Sequence, residues 1–335
     1  MMKALVTGAT GLVGSHLTEK LIERGDRVKA LVRETSDSSH LTEKPIELAY
    51  GDLRDYESLK KAVSGVEVVY HCAALVMEWG SWKDFYRINV LGTGNLLEAC
   101  LGANVQRFVD ISTVGVYGVR SHERVTEESP FLPSPSYYTQ TKIEAERLVD
   151  KYYRERGLPV VIIRPTLIYG PRDRNLSGRV GRLLARGRMV LISGGRGRAF
   201  FTYGGNVADA VILAGTRDNV IGRSYIISDD RVNTWKEFLD LMAEEMGVKK
   251  PSLSIPVSLA YPLAAIAEYG AKILLPWRPI PPLRAGVRLL SINRNFDISR
   301  AKQELGYVPR VSLPEGIKRT VKWLRDCGIG GKSGE

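Results

Sequence analysis

Short unbroken apolar runs alternate along the first half of this chain with longer segments whose apolar positions recur every three or four residues. KALVTGA opens the series, followed by SHLTEKLIERG, where Leu17, Leu21 and Ile22 share a helical face and Gly25 closes the segment. RVKALVR, IELAYGD, EVVYHCAA, RFVDIST and PVVIIRP repeat the first pattern, and ESLKKAVSG and NVLGTGNLLEACLGAN repeat the second. A strand without polar alternation is buried on both faces. Strands of that kind joined by helices predict an α/β fold, a doubly wound parallel sheet with helices on both sides.

The first strand runs directly into TGATGLVG, with Gly8, Gly11 and Gly14. A residue without Cβ permits the tight turn, the close approach of backbone to a pyrophosphate, and the close contact of helix with strand. The stretch therefore predicts a dinucleotide site at a helix amino terminus, with Gly8, Thr10, Gly11, Leu12, Val13 and Gly14 around the phosphates. The end of the second strand should reach the adenosine ribose, and there the chain has Arg33 followed by Glu34. Arginine holds a 2′-phosphate, so this reading favours NADP over NAD, with a solvated strand-end arginine as the plain alternative. Asp52, followed by Leu53, is placed either to accept from the adenine amino group or to cap a turn.

In SPSYYTQTKIEAERL, Tyr138 stands four residues before Lys142 and Tyr137 five. On a helix, only the four-residue spacing brings two side chains together on one face. A phenol titrates near ~10, and a cation within reach lowers that by roughly 1–3 units. Tyr138 is then a general acid or base, with Tyr137 left to packing or to the wall of a substrate cleft.

TGATGLVG, DISTVGVYG and YYTQTK in this order resemble the short-chain dehydrogenase/reductase superfamily, in its extended branch. HCAA, NVLGTGNLLEAC, IIRPTLIYGPRD and DISRAKQELGYVPRVSLPEGIKRTVKWL carry the resemblance over nearly the whole length, and ALVRETSD with the tail is most similar to the 3β-hydroxysteroid dehydrogenase and dihydroflavonol reductase-like group. The resemblance implies a Rossmann-type domain over 1–172 and a smaller α/β substrate-binding domain over 173–335, part of 199–230 returning to the Rossmann sheet. It implies catalytic roles for Thr113, Tyr138, Lys142 and Asn89, and cofactor contacts from Ala73, Ala74 and Pro165. Ser112 is the neighbour that would take the role of Thr113 if it faced the cleft, and a helix cap is the alternative reading of Asn89. The family's Val-Asp pair is replaced here by Gly204 and Gly205, a change expected to loosen a loop and remove a carboxylate.

The implied activity is NAD(P)-dependent hydride transfer on an alcohol or ketone of a sterol-like or other apolar substrate. A nucleotide-sugar epimerase with tightly bound NAD is the alternative, and a non-catalytic nucleotide-sensing protein the third. Dehydration is disfavoured, because Val114 and Gly115 stand where dehydratases have an acid–base pair.

The chain has 335 residues, a net charge of +11 and three cysteines. An unpaired cysteine count argues for a reducing compartment and against disulfides, and no spacing suggests a metal. The broken apolar run at the amino terminus reads as strand and turn, not as a secretory leader, so a cytoplasmic location is expected. Basic residues are dispersed, which fits a phosphate-bearing cofactor better than nucleic acid. The stretch 255–282 is the most apolar, but Pro262, Glu268 and Lys272 interrupt it, so it predicts an amphipathic helix and no transmembrane span. It is expected to cover the substrate cleft, with a dimer contact or a peripheral membrane contact as alternatives. A homodimer through the helix bearing Tyr138 follows from the resemblance alone.

Overall fold

The six apolar runs pair in parallel as β1 (Lys3–Thr7), β2 (Arg27–Val32), β3 (Glu47–Tyr50), β4 (Val68–His71), β5 (Arg107–Ile111) and β6 (Val160–Pro165), and a seventh strand from the stretch expected to return to the sheet, β7 (Ser224–Ile227), joins them. They form one sheet in the order β7-β6-β5-β4-β1-β2-β3. The computed structural model describes residues 1–76, 80–118, 124–274 and 283–330. The strand order reverses between β1 and β4, and in such sheets ligands bind beyond the carboxyl ends of the strands at that point.

Period-two alternation divides the buried side chains between the two faces. Ala4, Val6, Ala30 and Tyr70 join one apolar cluster, and Leu5, Leu31, Val69 and Phe108 join the other. The second face carries the helices α2 (Tyr56–Val63), α3 (Gly92–Gly102) and α4 (Tyr137–Arg156); the first carries α1 (Leu12–Glu23). The sheet register aligns Thr7 with His71 and His71 with Asp110, so these three polar residues form a row on the α4 side.

After β6 the chain builds a second, smaller core. It contains helices α5 (Leu176–Ala185), α6 (Gly204–Thr216) and α7 (Trp235–Met246), then α8 (Val257–Leu274), α9 (Leu283–Ser291) and α10 (Leu313–Asp326), with three two-stranded pairings. Phe201 stacks on Phe238 with centroids 4.1 Å apart, and Trp235 and Tyr169 meet the pair edge-on. Within this stretch α6 packs back onto the sheet through Val207, Ala210, Val211 and Ala214, and β7 joins β6.

Two expectations are corrected. Gly204 and Gly205 do not loosen a loop: they open α6 and are buried. A Cβ on Gly204 would lie 2.8 Å from the His16 ring, and one on Gly205 would lie 2.6 Å from the Tyr203 ring. Small residues there let α6 close against α1. The apolar stretch over 255–282 does not bury its helix in the cleft. α8 turns Ala260, Ala264 and Glu268 inward and leaves Leu259, Leu263, Ile266 and Ile273 exposed. Glu268 holds Arg284 of α9 through Nε at 2.6 Å, and it is α9 that reaches the cleft. Residues 275–282 of that stretch lie outside the described residues. Among the described residues, no helix is long and apolar enough to cross a membrane.

Candidate active site

The glycine turn has the predicted shape. Gly8 has φ +68°, and a Cβ there would press within 2.8 Å of the Ala73 backbone. A Cβ on Gly14 would lie 2.2 Å from the Gly8 carbonyl oxygen. Gly11 donates its N–H to that same carbonyl at 2.9 Å and caps α1 without any side-chain hydrogen bond. The first amides of α1, from Leu12 and Val13 on, are thus free of side-chain caps and suit an anion. This cradle, which a side chain would fill, fits the pyrophosphate of a dinucleotide, with Thr10 on its rim.

Across the gap, Ala73 is held by a buried chain of hydrogen bonds, with Ala74 next along the backbone. Ala73 donates its N–H to Thr7 Oγ1 at 3.1 Å. His71 stands with Nδ1 2.9 Å from Thr7 Oγ1 and Nε2 2.9 Å from Thr93 Oγ1. Thr93 spends its proton on the Asn89 carbonyl at 2.7 Å, so Nε2–H donates to Thr93 and Nδ1 accepts from Thr7. Burial holds the His71 imidazole down at about 3, with the nearby Lys142 acting in the same direction, so the ring is neutral. A neutral ring is what this one-directional chain needs.

Asn89 is not a helix cap. It lies buried within a π-helical turn, Arg87–Leu91, that runs into α3. Its Oδ1 accepts from Leu75 N–H at 2.7 Å, and its Nδ2 donates to the Leu75 carbonyl at 3.2 Å and to Thr141 Oγ1 at 3.0 Å. The side chain ties the segment after Ala74 to the helix turn that carries Lys142.

α4 presents its two tyrosines differently. Tyr137 is exposed and meets Trp82 and Phe85 edge-on, with centroids 5.6 and 6.3 Å away. Tyr138 faces the sheet, partly buried, and its hydroxyl has no hydrogen-bond partner among the described residues. Ser136 caps the helix by accepting from Thr139 N–H, which sets the phase of both rings. Thr113 is partly exposed, and its Oγ1 accepts from Gly115 N–H at 3.0 Å, leaving the O–H free to donate. Ser112 is turned inward, with its hydroxyl buried and unpartnered. Gly115 lets α4 approach, since a Cβ there would sit 3.3 Å from both Thr113 Oγ1 and Thr139 Oγ1.

The electrostatics depart from expectation at one point. Lys142 is directed at Asp110, Nζ to Oδ2 at 3.5 Å, with both side chains buried. The Tyr138 phenol is pushed above its ordinary value, first by burial and then by the negative charge of Asp110. The lysine's lowering effect on the phenol is therefore not realised in this state, because its charge is shared with a carboxylate. Asp110 itself is pushed up by burial, against the pull of Lys142. The sequence carries a signal for it, an acid inside the apolar strand RFVDI.

At the adenosine end, Arg33 is exposed past β2. Asp52 accepts from Arg54 in a two-pronged ion pair, Nε to Oδ1 at 2.8 Å and Nη2 to Oδ2 at 2.7 Å. Arg54 pulls the Asp52 carboxyl below its ordinary value, and Arg33 adds to this. Asp52 Oδ1 also accepts from the Arg54 N–H at 2.9 Å, the turn cap of the alternative reading, so it does not stand as a free acceptor. Leu53 is buried beneath α3, where a Cβ on Gly92 would meet it at 2.8 Å. Pro165 ends β6, beside Arg164, whose guanidinium is fixed by Glu146 and donates to Tyr117 Oη at 2.6 Å.

Next to Val114 lies a small crevice of about 10 Å³, lined by Val114, Thr166, Leu167, Arg198, Ala199, Phe200, Leu289, Arg294 and Phe296. Its walls are mainly apolar.

Comparison with known proteins agrees with this architecture. The model of the NAD dependent epimerase/dehydratase family matches residues 4–228. "Sterol demethylase protein B" of Methylococcus capsulatus is 34% identical, covering 98% of this chain and all of that protein. "3beta-hydroxysteroid-dehydrogenase/decarboxylase isoform 1" of Arabidopsis thaliana is 32% identical over 95% of this chain and 78% of its own length. Among solved structures, "MoeE5 in complex with UDP-glucose and NAD" superposes with a TM-score of 0.76 at 26% identity, over 97% of this chain and 99% of that one. The chain belongs to the NAD dependent epimerase/dehydratase family, and it is an enzyme of that family.

Proposed function

We propose that this member of the NAD dependent epimerase/dehydratase family exchanges a hydride between a nicotinamide cofactor and an alcohol or ketone carbon of an apolar substrate. The observation that carries the reading is Tyr138, whose hydroxyl has no partner among the described residues, one helical turn from Lys142, whose ammonium meets Asp110 of the same sheet that bears the glycine cradle. The sterol-directed names of two relatives support an apolar substrate. Bound in the Gly8–Gly14 cradle, the nicotinamide cofactor supplies or takes the hydride. Tyr138 passes the proton to or from the substrate oxygen, Thr113 donates to that oxygen, and Lys142 adjusts the phenol. Asn89 and His71 position the walls. Residues 1–172 hold the cofactor and 173–335 shape the substrate side.

Arg33 and Arg54 together favour NADP, since a 2′-phosphate placed between two guanidinium groups finds charge-assisted donors. Analysing the nucleotide released on denaturing the purified protein, with NADP and NAD titrated into the emptied protein, tests the assignment. Empty protein that prefers NADP supports it. Tightly retained NAD would favour the second reading, a nucleotide-sugar epimerase, to which the UDP-glucose and NAD complex of the structural relative points.

A further inference from the structure

Eighteen large hydrophobic side chains are exposed among the described residues, and seven of them lie on the single helix α8. Leu259, Leu263, Ile266, Ile273 and Leu274 follow helical spacing and fall within an arc of roughly 100° on one face. Ile266 and Ile273 are 68% and 77% exposed. Scattered apolar residues on a surface are ordinary, whereas a continuous stripe of them marks an interaction surface. The other side of α8, with Ala260, Ala264 and Glu268, already packs inward. Its base is fixed as well: Ser254–Ile255 pairs with Leu191–Ile192, and Val257 donates its N–H to Ser193 Oγ at 3.1 Å. The helix cannot roll its stripe inward without breaking these contacts.

The charge around the stripe indicates what covers it. Glu268 is the one carboxylate of α8 and α9, and it is buried, accepting from the N–H and Nε of Arg284 at 2.8 and 2.6 Å. The same two helices carry three cations, Lys272, Arg284 and Arg288. Tyr269 borders the stripe and is more than half exposed, with the Lys272 ammonium and the Arg284 guanidinium over its ring, 5.8 and 5.6 Å from the centroid. An apolar stripe edged by a tyrosine and by cations, with no exposed carboxylate on either helix, matches the boundary between acyl chains and anionic headgroups. We propose that α8 docks this protein on an anionic lipid bilayer, lying in the plane of the interface with its stripe among the acyl chains and Lys272 reaching the lipid phosphates. Lysine suits that place because its stem lies along apolar surface while its ammonium stays with the headgroups. The helix rests on the bilayer and does not cross it, since no helix among the described residues is long and apolar enough. A second copy of the chain is the poorer occupant. Two such stripes pressed together would bring like-charged rims close, with no exposed acid on α8 or α9 to meet them.

The proposal goes beyond hydride transfer, and its test needs no turnover. The full chain is sedimented with sucrose-loaded vesicles, either of phosphatidylcholine alone or with about one-third phosphatidylglycerol. Wild type should sediment with the anionic vesicles and far less with the neutral ones. The triple variant Leu263→Ser, Ile266→Ser, Ile273→Ser should bind anionic vesicles about tenfold or more weaker, because three apolar side chains no longer leave water. Its melting temperature should stay with wild type, since those positions are exposed in the folded protein. Lys272→Glu should weaken binding to anionic vesicles about fivefold or more and leave binding to neutral ones unchanged. Ile266→Asp alone, in the middle of the stripe, repeats the comparison with the least change to the fold. Wild type that stays in the supernatant overturns the proposal, as does equal sedimentation with both vesicle types. Variants of the stripe that bind as wild type does also overturn it, because dispersed positive charge would then hold the protein without α8. Light scattering of the lipid-free protein covers the other occupant: an oligomer that dissociates in the triple variant assigns the stripe to a second copy and overturns the bilayer.

Discussion

The ammonium of Lys142 lies 3.5 Å from a carboxylate oxygen of Asp110, and both side chains are sealed from solvent at 2% and 0% exposure. One is on α4 and the other on β5, and the pair forms behind Tyr138. A cation that would otherwise draw the phenol towards its ionised form is thereby partly cancelled, and Asp110 raises the phenol directly. Replacing Asp110 with Asn keeps the shape and removes the charge. The Tyr138 titration should then move down, since a nearby negative charge has been lost. Tyrosinate absorbance at 295 nm, taken as the difference from Tyr138→Phe in each background, measures this without a substrate. An unmoved titration would mean that Asp110 only packs.

Tyr138→Phe should cut turnover by roughly 100-fold or more, the share of a general acid–base group, with cofactor affinity retained. Tyr137→Phe should stay close to wild type, because that ring packs on Trp82 and Phe85 at the surface. Steady-state kinetics on both variants decides which tyrosine acts, and the reverse ranking would assign the wrong one here.

Gly14→Ala should abolish cofactor binding. Its new Cβ would overlap the Gly8 carbonyl oxygen at 2.2 Å, a backbone atom that cannot swing away. Overpacking of this kind costs about 1–3 kcal/mol of stability as well, readable in a denaturant titration. Retained cofactor affinity would show that the turn is not the phosphate cradle.

Arg33→Ala and Arg54→Ala should each weaken NADP by about tenfold while NAD changes little. Arg54→Ala has a second effect: it frees the Asp52 carboxylate from its two-pronged pair. That variant should keep its affinity for NAD, because the freed carboxylate can accept from the adenine amino group that both nucleotides carry. Fluorescence titration with both nucleotides reads the ratio directly.

Asp229 links stability to pH. It accepts from Tyr203 N–H at 2.9 Å and from Asn206 Nδ2 at 2.8 Å, yet burial pushes its carboxyl up to about 7. Between its ordinary value of 3.8 and about 7 the folded state holds a proton that the unfolded chain has released. This contribution is therefore complete at acid pH and is lost as pH rises through 7. Wild type should gain melting temperature from this group between pH 8 and pH 5.5, and Asp229→Asn should lose that increment. Identical pH profiles would show that Asp229 is ionised throughout.

The unbroken apolar runs and the period-three-to-four patterns in the chain were sufficient for six strands of the parallel sheet, the glycine turn and the phase of Tyr138 on its helix. These are local matters, governed by burial on two faces, by missing Cβ atoms and by 3.6 residues per turn. What lay beyond the sequence was partnership across distance. Asp110 and Lys142 are 32 positions apart and meet only because the register aligns Thr7, His71 and Asp110 on the face that α4 covers. Asn89 finds Leu75 and Thr141, and Gly204 meets His16, through packing between elements that no spacing rule connects. Such partnerships exist only once packing has brought the elements together, because the side chains that satisfy a buried polar group come from wherever the fold places them.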